Sequence, residues 1–454
     1  MKMSGINRLI IIFIFLLLPI KSNSIEIVRD VELEEFTREI LIPLTKASNL
    51  SDNRIDLYFV KSNQINAFVT SGQAIFINTE LIIQSKTYSE YLGVLAHELA
   101  HINGGHISRT KNQISDLNNK SMPIYLLGIL GVLGGEADAG IAAMMVGTAS
   151  IQDGYLYYSR TQEAAADQAA ISILCKSKQP VKGLENFLKL LDRSSLENSR
   201  EYQYKTTHPQ TIDRYTWIQS SYTKYPNCDY KIDLKKQERF ELIKAKLLAY
   251  THSKDEVSAI YQNKNNVFSK YALAASSFFN GNKKFSIEMM NSLIQDEPLN
   301  PYYHELLGEI YYSLGNFEKA IIEQKEAIRL LSKDNDLHLM MLGSYLLAEE
   351  SDKNIIESID ALNKSLFLNR KNSYSWYLLA RAYALNNELA LAQYASAERY
   401  YLRRDKTLAL NFAKKAIKNI DKNTVEWYRA NDLIQLIVGL EKKDYKTSSI
   451  GTNE

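Results

Sequence analysis

The stretch Tyr91-Leu92-Gly93-Val94-Leu95-Ala96-His97-Glu98-Leu99-Ala100-His101 decides how the first half of the chain is read. It is an apolar helical segment broken only by a His-Glu pair and by a second His four residues after the first. Residues i and i+4 of an α-helix lie on one face, so His97 and His101 are close enough to share one zinc ion. Glu98 follows one position on, beside the coordination position that the two histidines leave open. A carboxylate there can take a proton from zinc-activated water and later return it to a leaving amine. A chance H-E-x-x-H on an ordinary helix is the competing reading. An otherwise apolar helix, however, gives such a pair no other use.

Two histidines leave a third ligand to find. Position 107, six residues beyond His101, is Ile, so the three-histidine metzincin arrangement is excluded. His106 stands one residue too early, behind Gly104-Gly105 where the helix is expected to end. It is read as lying beside a ligand or facing solvent. The segment Ser159-Arg160-Thr161-Gln162-Glu163-Ala164-Ala165-Ala166-Asp167 supplies a glutamate on a later helix instead. Glu163 and Asp167 share a face at i, i+4, and Ala164, Ala165, Ala166, Ala169 and Ala170 are expected to let this helix pack closely on the first. Glu163 is the candidate third ligand, and Asp167 the acceptor for the N–H of a ligand imidazole, fixing its tautomer. A solvated, alanine-rich helix is the plainer alternative. Thr207-His208-Pro209, with Arg214 after it, adds a histidine in a proline-fixed turn. Three roles stay open for His208: oxyanion donor in turnover, fourth ligand that shuts the site, or structural residue.

Upstream, Asn66-Ala67-Phe68, Gly72 and Ala74-Ile75-Phe76-Ile77-Asn78 alternate weakly, like a hairpin at a sheet edge. Such an edge can bind an extended peptide by strand addition, and a plain core hairpin is equally compatible. Downstream, Ile124–Thr148 is apolar and glycine-rich, but Gly134, Gly135, Glu136 and Asp138 divide it into runs of about ten residues, too short to span hydrocarbon. A helical hairpin beside the site, buried or touching a membrane, is expected there.

The amino terminus reads as an export signal. Lys2 and Arg8 precede an unbroken apolar run of twelve residues, Leu9–Ile20, and Ser22 and Ser24 supply small residues for cleavage before Ile25. An uncleaved anchor is the alternative, although a spanning helix needs about 20 residues. Export places Cys175 and Cys228 where they can pair, two unrelated buried thiols being the other reading. The 454 residues suggest two to four domains at roughly 150 residues each. With 45% hydrophobic and 23% charged residues, 19 Gly, 8 Pro and 2 Cys, the chain is neither disordered nor collagen-like nor disulfide-stapled. Removal of residues 1–24, which hold three basic and no acidic residues, takes the net charge from +2 to −1. No bulk electrostatic binding of nucleic acid is expected of such a chain.

From residue 263 onward the pattern is helical with a recurring period. Leu307-Gly308, Tyr311, Ala320 and Ala327 match the tetratricopeptide helix–turn–helix spacing. A preceding unit ends at Pro298, and Leu342-Gly343 opens another about 35 residues on. Trp376, Leu379-Ala380, Tyr383 and Ala392 mark a further unit, followed by a helix with Ala409, Ala413 and Ala416. Small residues let paired helices approach, and three or more hairpins stack into a solenoid. A generic helical bundle is the alternative. The period is disturbed near 350–358.

Together, His97–His101, Glu163–Asp167 and His208-Pro209 with Arg214 resemble, in order and approximate spacing, the gluzincin family of HtpX-like and prenyl-protein endopeptidases. An export signal with a carboxyl-terminal repeat array is similar to that family's BepA-type subgroup of the Gram-negative periplasm. The resemblance implies a mainly α chain: an α+β zincin-type metallopeptidase domain followed by an α-helical tetratricopeptide solenoid. It implies one zinc ion per chain held by His97, His101 and Glu163, with Glu98 as general base and a regulatory place for His208. It further implies a zinc metalloendopeptidase, with chaperone activity, in the assembly and quality control of outer-membrane β-barrel proteins. Its partners would be unfolded or misassembled clients and, through the repeats, the barrel assembly machinery. The expected division is a signal peptide at 1–24, the peptidase domain at 25–235, a helical connector at 236–262, the repeats at 263–440 and a tail at 441–454. A chaperone or scaffold acting through its repeats, with a latent metal site, is the principal alternative. A general peptidase of small imported peptides fits less well, because small peptides need no large recognition surface.

Overall fold

The computed structural model describes residues 26–51, 55–70, 73–106, 160–193, His208, 212–222, 224–225, 227–228, 230–261 and 266–450. The expected signal at 1–24, the hairpin at 124–148, and Thr207 and Pro209 lie outside the described residues. The chain is mainly helical with one small sheet. Its first part runs β1 (Ile27–Val28), α1 (Val31–Ala47), β2 (Asp56–Val60), β3 (Ala67–Thr70), β4 (Ala74–Asn78), α2 (Thr79–Gln84) and α3 (Tyr88–Asn103). Then follow α4 (Arg160–Lys176), α5 (Lys182–Arg193) and α6 (Ile212–Tyr222).

The sheet order is β1-β2-β4-β3, with β2 and β4 parallel and both outer pairs antiparallel. Successive side chains of a strand point to opposite faces. Ile75 and Ile77 of β4 accordingly enter the main core with Phe59, while Ala74 and Phe76 join Tyr58 and Phe68 on the other face. The expected edge hairpin is present as β3 and β4. Register places Ala67 opposite Ile77, and the bond from Asn78 N–H to Asn66 C=O turns the Ala67 carbonyl to the outer edge.

Helix α3 is the centre of the first part. Thr87 caps its start, and the Glu90 carboxylate accepts from Lys86 N–H at 2.7 Å. Every residue from Tyr88 to His101 is buried, which explains why the helix is apolar on all sides rather than along one stripe. Tyr91 sets its hydroxyl 3.0 Å from that of Thr37 in α1. Close crossing by α5 depends on two glycines. A Cβ on Gly93 would lie 2.5 Å from Leu184 N, and one on Gly183 would lie 1.8 Å from Ser89 O. Cys175, near the end of α4, is disulfide-bonded to Cys228 across 53 residues, their Cα atoms 5.1 Å apart. That pairing follows the expected bridge and ties the helix bearing Glu163 to the segment beyond α6.

Two helices, α7 (Leu234–Thr251) and α8 (Lys254–Tyr261), lead to the repeats. Helix α7 is no free linker: Phe240, Ile243 and Leu247 belong to the first core, and Leu242, Ala245, Leu248 and Ala249 to the second. The remaining helices are α9 (Val267–Phe279), α10 (Lys283–Asp296), α11 (Pro301–Ser313), α12 (Phe317–Leu330) and α13 (Asp336–Glu349). They continue as α14 (Asp352–Leu368), α15 (Ser373–Leu385), α16 (Leu389–Leu402), α17 (Lys406–Asn419) and α18 (Val425–Ile450). Helix α18 runs on through residues expected to form a tail. The disturbance at 350–358 lengthens α14 to 17 residues where α12 and α16 have 14.

Two of the hairpins close at a glycine where the paired helices come near. A Cβ on Gly308 would lie 3.3 Å from Ala320 O, and one on Gly343 would lie 2.6 Å from Leu362 Cγ. In two hairpins a serine hydroxyl donates across this gap, Ser286 to Ala274 O and Ser358 to Gly343 O. The first part meets the repeats through the start of α1. Lys246 of α7 pairs with Asp30 at 2.7 Å and Glu32 at 3.1 Å, and Tyr302 donates to Glu35 at 3.0 Å. Among the described residues, no helix is long and apolar enough to cross a membrane.

The Gly183 crossing gives a direct test. Gly183→Ala should lower the unfolding free energy by about 3 kcal/mol, because the conflicting atom is backbone and cannot rotate away. Gly439→Ala, on an open helix face, should raise it by up to about 1 kcal/mol. Denaturant unfolding of the two variants reads both.

Candidate metal and active site

Helix α3 brings His97, Glu98 and His101 to one end of the buried core, and α4 presents Glu163 and Asp167 opposite them. His208 precedes α6, and Arg214 lies within it. All seven side chains are buried. The helical face predicted for Glu163 and Asp167 is therefore the packed one, and Ala166 and Ala170 of α4 are buried beside it. The alanine expectation is corrected in part: Ala164 and Ala165 are exposed, because they sit on the outer side of the turn.

Four donors converge. His97 Nε2 lies 3.0 Å from His101 Nε2 and 3.4 Å from His208 Nδ1. The Glu163 carboxylate lies 3.2 Å from His101 Nε2, 3.2 Å from His208 Nδ1 and 3.5 Å from His97 Nε2. Tetrahedral bonds of about 2.0–2.1 Å set ligand atoms about 3.3–3.4 Å apart, so these separations suit one metal ion. His97, His101, Glu163 and His208 together could hold it.

The outward nitrogens make the same point chemically. His97 Nδ1 lies 2.9 Å from Asp167 Oδ1, and His208 Nε2 lies 3.1 Å from the Ala67 carbonyl on β3. Carboxylate and carbonyl oxygens only accept, so the imidazole protons belong on those outer nitrogens. His97 Nε2 and His208 Nδ1 then turn lone pairs inward, toward an anionic carboxylate. Such a set of acceptors repels itself unless a positive charge sits among them. Without a metal that charge is a proton. Burial would lower His97, but Glu163 and Asp167 outweigh it and carry its pKa to about 10. Burial keeps His101 neutral, well below the usual imidazole range. Burial would likewise raise Glu163, yet His208 and His97 hold it well below the usual carboxylate range.

Arg214 fixes both carboxylates. Its Nε and Nη2 grip Asp167 at 2.7 and 2.8 Å, while Nη1 reaches Glu163 at 2.8 Å. Burial would raise Asp167, and Arg214 more than offsets this, keeping it ionised to orient His97. The sequence reading placed Arg214 in the pattern without a role. An arginine on the buried face of α6, at the end of the His-Pro motif, was the signal available for it. The Ala67 carbonyl, being backbone, left no signal in residue identity.

Glu98 differs from the other acids. Neither of its oxygens accepts a hydrogen bond among the described residues, and its nearest polar neighbour in an ion pair is His208 Nε2 at 3.5 Å. Burial pushes its pKa up to about 7, against the pull of His208 and His97. A buried carboxylate that accepts no hydrogen bond among the described residues, beside the donor cluster, is suited to accept a proton from water held there.

Metal binding to these ligands must displace the His97 proton. At pH 7.5, uptake of zinc should therefore release about one proton per chain, and apparent affinity should weaken as pH falls. Calorimetry in buffers of differing ionisation enthalpy measures this, and an enthalpy independent of buffer would count against His97 as a ligand.

Residues 29–221 match the sequence profile of Peptidase family M48. The chain is 24% identical over 433 residues to the beta-barrel assembly-enhancing protease of Escherichia coli (strain K12), covering 93% of this chain and 86% of that protein. The protein of the same name from Escherichia coli O157:H7 is 23% identical over 433 residues, with the same coverage. That from Yersinia pestis is 21% identical over 434 residues, covering 92% of this chain and 86% of the relative. The donor cluster falls within the matched segment, on the helices where the H-E-x-x-H and the later glutamate put it. Residues 29–221 are thus a peptidase family M48 domain, and the chain is a metallopeptidase with helical repeats behind that domain.

Proposed function

We propose that the chain is a zinc-dependent endopeptidase of the periplasm that acts in the assembly and quality control of outer-membrane β-barrel proteins. The observation that carries the chemistry is the convergence of four donors beside a buried Glu98 whose oxygens accept no hydrogen bond among the described residues. In this reading His97, His101 and Glu163 would hold zinc, which would supply Lewis-acid polarisation of the scissile carbonyl and a lowered pKa for water. Three imidazole and carboxylate donors at tetrahedral spacing suit zinc, which takes such ligands without strong geometric demands. Glu98 takes the proton from the attacking water and delivers it to the amide nitrogen as the bond breaks. Asp167 and Arg214 keep His97 and Glu163 in place throughout. The export-like leader and the Cys175–Cys228 bridge support an oxidising compartment. The relatives' names, and a repeat array broad enough for a polypeptide, support barrel proteins as clients and the barrel assembly machinery as partner. Residues 25–235 would then be the catalytic unit, 236–262 the connector and 263–440 the recognition unit, behind a leader at 1–24 and ahead of a tail at 441–454.

One observation favours a second state of the same site. A catalytic zinc keeps an open position, whereas His208 Nδ1 lies 3.4 Å from His97 Nε2 and 3.2 Å from the Glu163 carboxylate, where it could serve as a fourth ligand. His208 also covers the Ala67 carbonyl, one of the edge groups an extended substrate would use. The chain as folded is therefore read as latent, with His208 leaving both places when substrate enters. A chaperone role with a permanently closed site remains the alternative.

Digestion of an unfolded outer-membrane barrel protein by the purified, zinc-loaded chain tests the reading. Glu98→Gln should retain zinc and lose cleavage by at least about a hundredfold. Glu163→Ala should lose zinc. His208→Ala should cleave faster than wild type if His208 shuts the site. Cleavage by Glu98→Gln at the wild-type rate would remove the assigned base. Absence of cleavage by wild type and His208→Ala alike would favour the chaperone.

A further inference from the structure

His106 has no part in the chemistry above, yet the chain is shaped around it. Helix α3 ends at Asn103, and the next two residues are glycines for separate reasons. Gly105 has φ +61, the left-handed conformation that side chains disfavour. A Cβ on Gly104 would lie 2.5 Å from His106 Nε2. The turn thus folds the chain back so that the His106 ring lies against the last turn of α3. The ring is 5% exposed, crosses that of His101 at 79° with centroids 4.9 Å apart, and sets its Nδ1 2.9 Å from His101 Nδ1.

Between two Nδ1 atoms at this distance one must donate and the other accept. His101 Nε2 faces Glu163 and His97, where a lone pair is required if it is a ligand. Its proton therefore belongs on Nδ1, and His106 Nδ1 must offer the lone pair that receives it. The three inward histidines then have three different outer partners: a carboxylate for His97, a peptide carbonyl for His208 and a neutral imidazole for His101.

We propose that His106 is a positioning residue for the metal site: its Nδ1 accepts the Nδ1–H of His101, which fixes the tautomer and ring plane in which His101 Nε2 can bind the metal. This rests on His101 being a ligand, as the proposed function has it. Partners of this kind contribute about 10–100-fold to metal affinity.

The test compares His106→Asn, His106→Gln and His106→Leu in the full chain. Asn places its Oδ1 where the Nδ1 of histidine stood, whereas Gln places its polar atoms nearer the Nε2 position. Leu offers no acceptor. Zinc affinity is read by competition with a chromophoric chelator, and ligand geometry by the visible absorption of the cobalt(II)-substituted protein. Asn should bind zinc within a few-fold of wild type and keep the cobalt spectrum. Gln and Leu should each weaken zinc about 10–100-fold and shift the spectrum. Equal losses in Asn and Gln would overturn the proposal, since packing alone would then account for them. Wild-type affinity in all three would overturn it as well. Should Leu fail to fold, the Asn–Gln comparison decides alone. His101→Ala separates the two readings: if zinc affinity survives that change, the ligand assignment fails rather than the role of His106.

Discussion

Four buried electron-pair donors turned toward one point are the constraint on which this structure depends. Imidazole lone pairs and a carboxylate 3.0–3.5 Å apart repel one another. Only a cation or a proton makes that arrangement stable. The surrounding residues keep the repulsion from being relieved by movement: Arg214 holds both carboxylates of α4, and acceptors hold the outer nitrogens of the histidines. Removing any of these partners would let a ring turn or a carboxylate swing. The site is thus prepared for a charge before the charge arrives, so binding need not order it.

Preparation of that kind needs a rigid base, and α3 supplies it by being buried on every side. A helix in that position cannot be packed by side chains alone, because neighbours on all faces must come close. Gly93 and Gly183 let α5 cross at backbone distance, and Ala166 and Ala170 let α4 do nearly the same. The His-Glu pair and second His are polar groups within that apolar packing. Their burial without a compensating ion would be costly, as the upward shift of Glu98 to about 7 already indicates.

Much of this could be read from residue identities, where a residue type has one use. An H-E-x-x-H in an apolar helix, a later Glu and Asp at i, i+4, and small residues at a fixed period each admit few explanations. The structure brings those residues together as expected, and the two cysteines meet. Readings that depended on rotation about a helix axis fared less well. All five alanines of α4 were assigned to one packed side, although residues 164 and 165 must point elsewhere when 163 and 167 point inward. His106 could not be placed, because a glycine pair permits either a chain that leaves the helix or one that folds back. The role of Arg214 was also hidden: its partner Asp167 lies 47 residues away on α4, and one arginine on a helix carries no mark of what it meets.

The repeats join the first part through a buried charge, not through an apolar seam alone. Lys246 projects from α7 to Asp30 and Glu32 at the start of α1, close to Tyr271 and Glu305 of the repeats. Burial pushes Glu32 up to about 7, opposed mainly by Lys246. Burial would lower Lys246, yet Asp30 and its neighbours hold it well above the ordinary range. An apolar contact of equal area tolerates sliding, whereas a buried lysine must stay within reach of its carboxylates, because a buried charge left without a partner is costly. Helix α1 also touches α3 through Thr37 and Tyr91, and α7 shares both cores. The first repeats are thus packed, through α1 and α7, against the helix that bears His97, Glu98 and His101. Helix α7 therefore belongs to both parts at once and is not a tether between them.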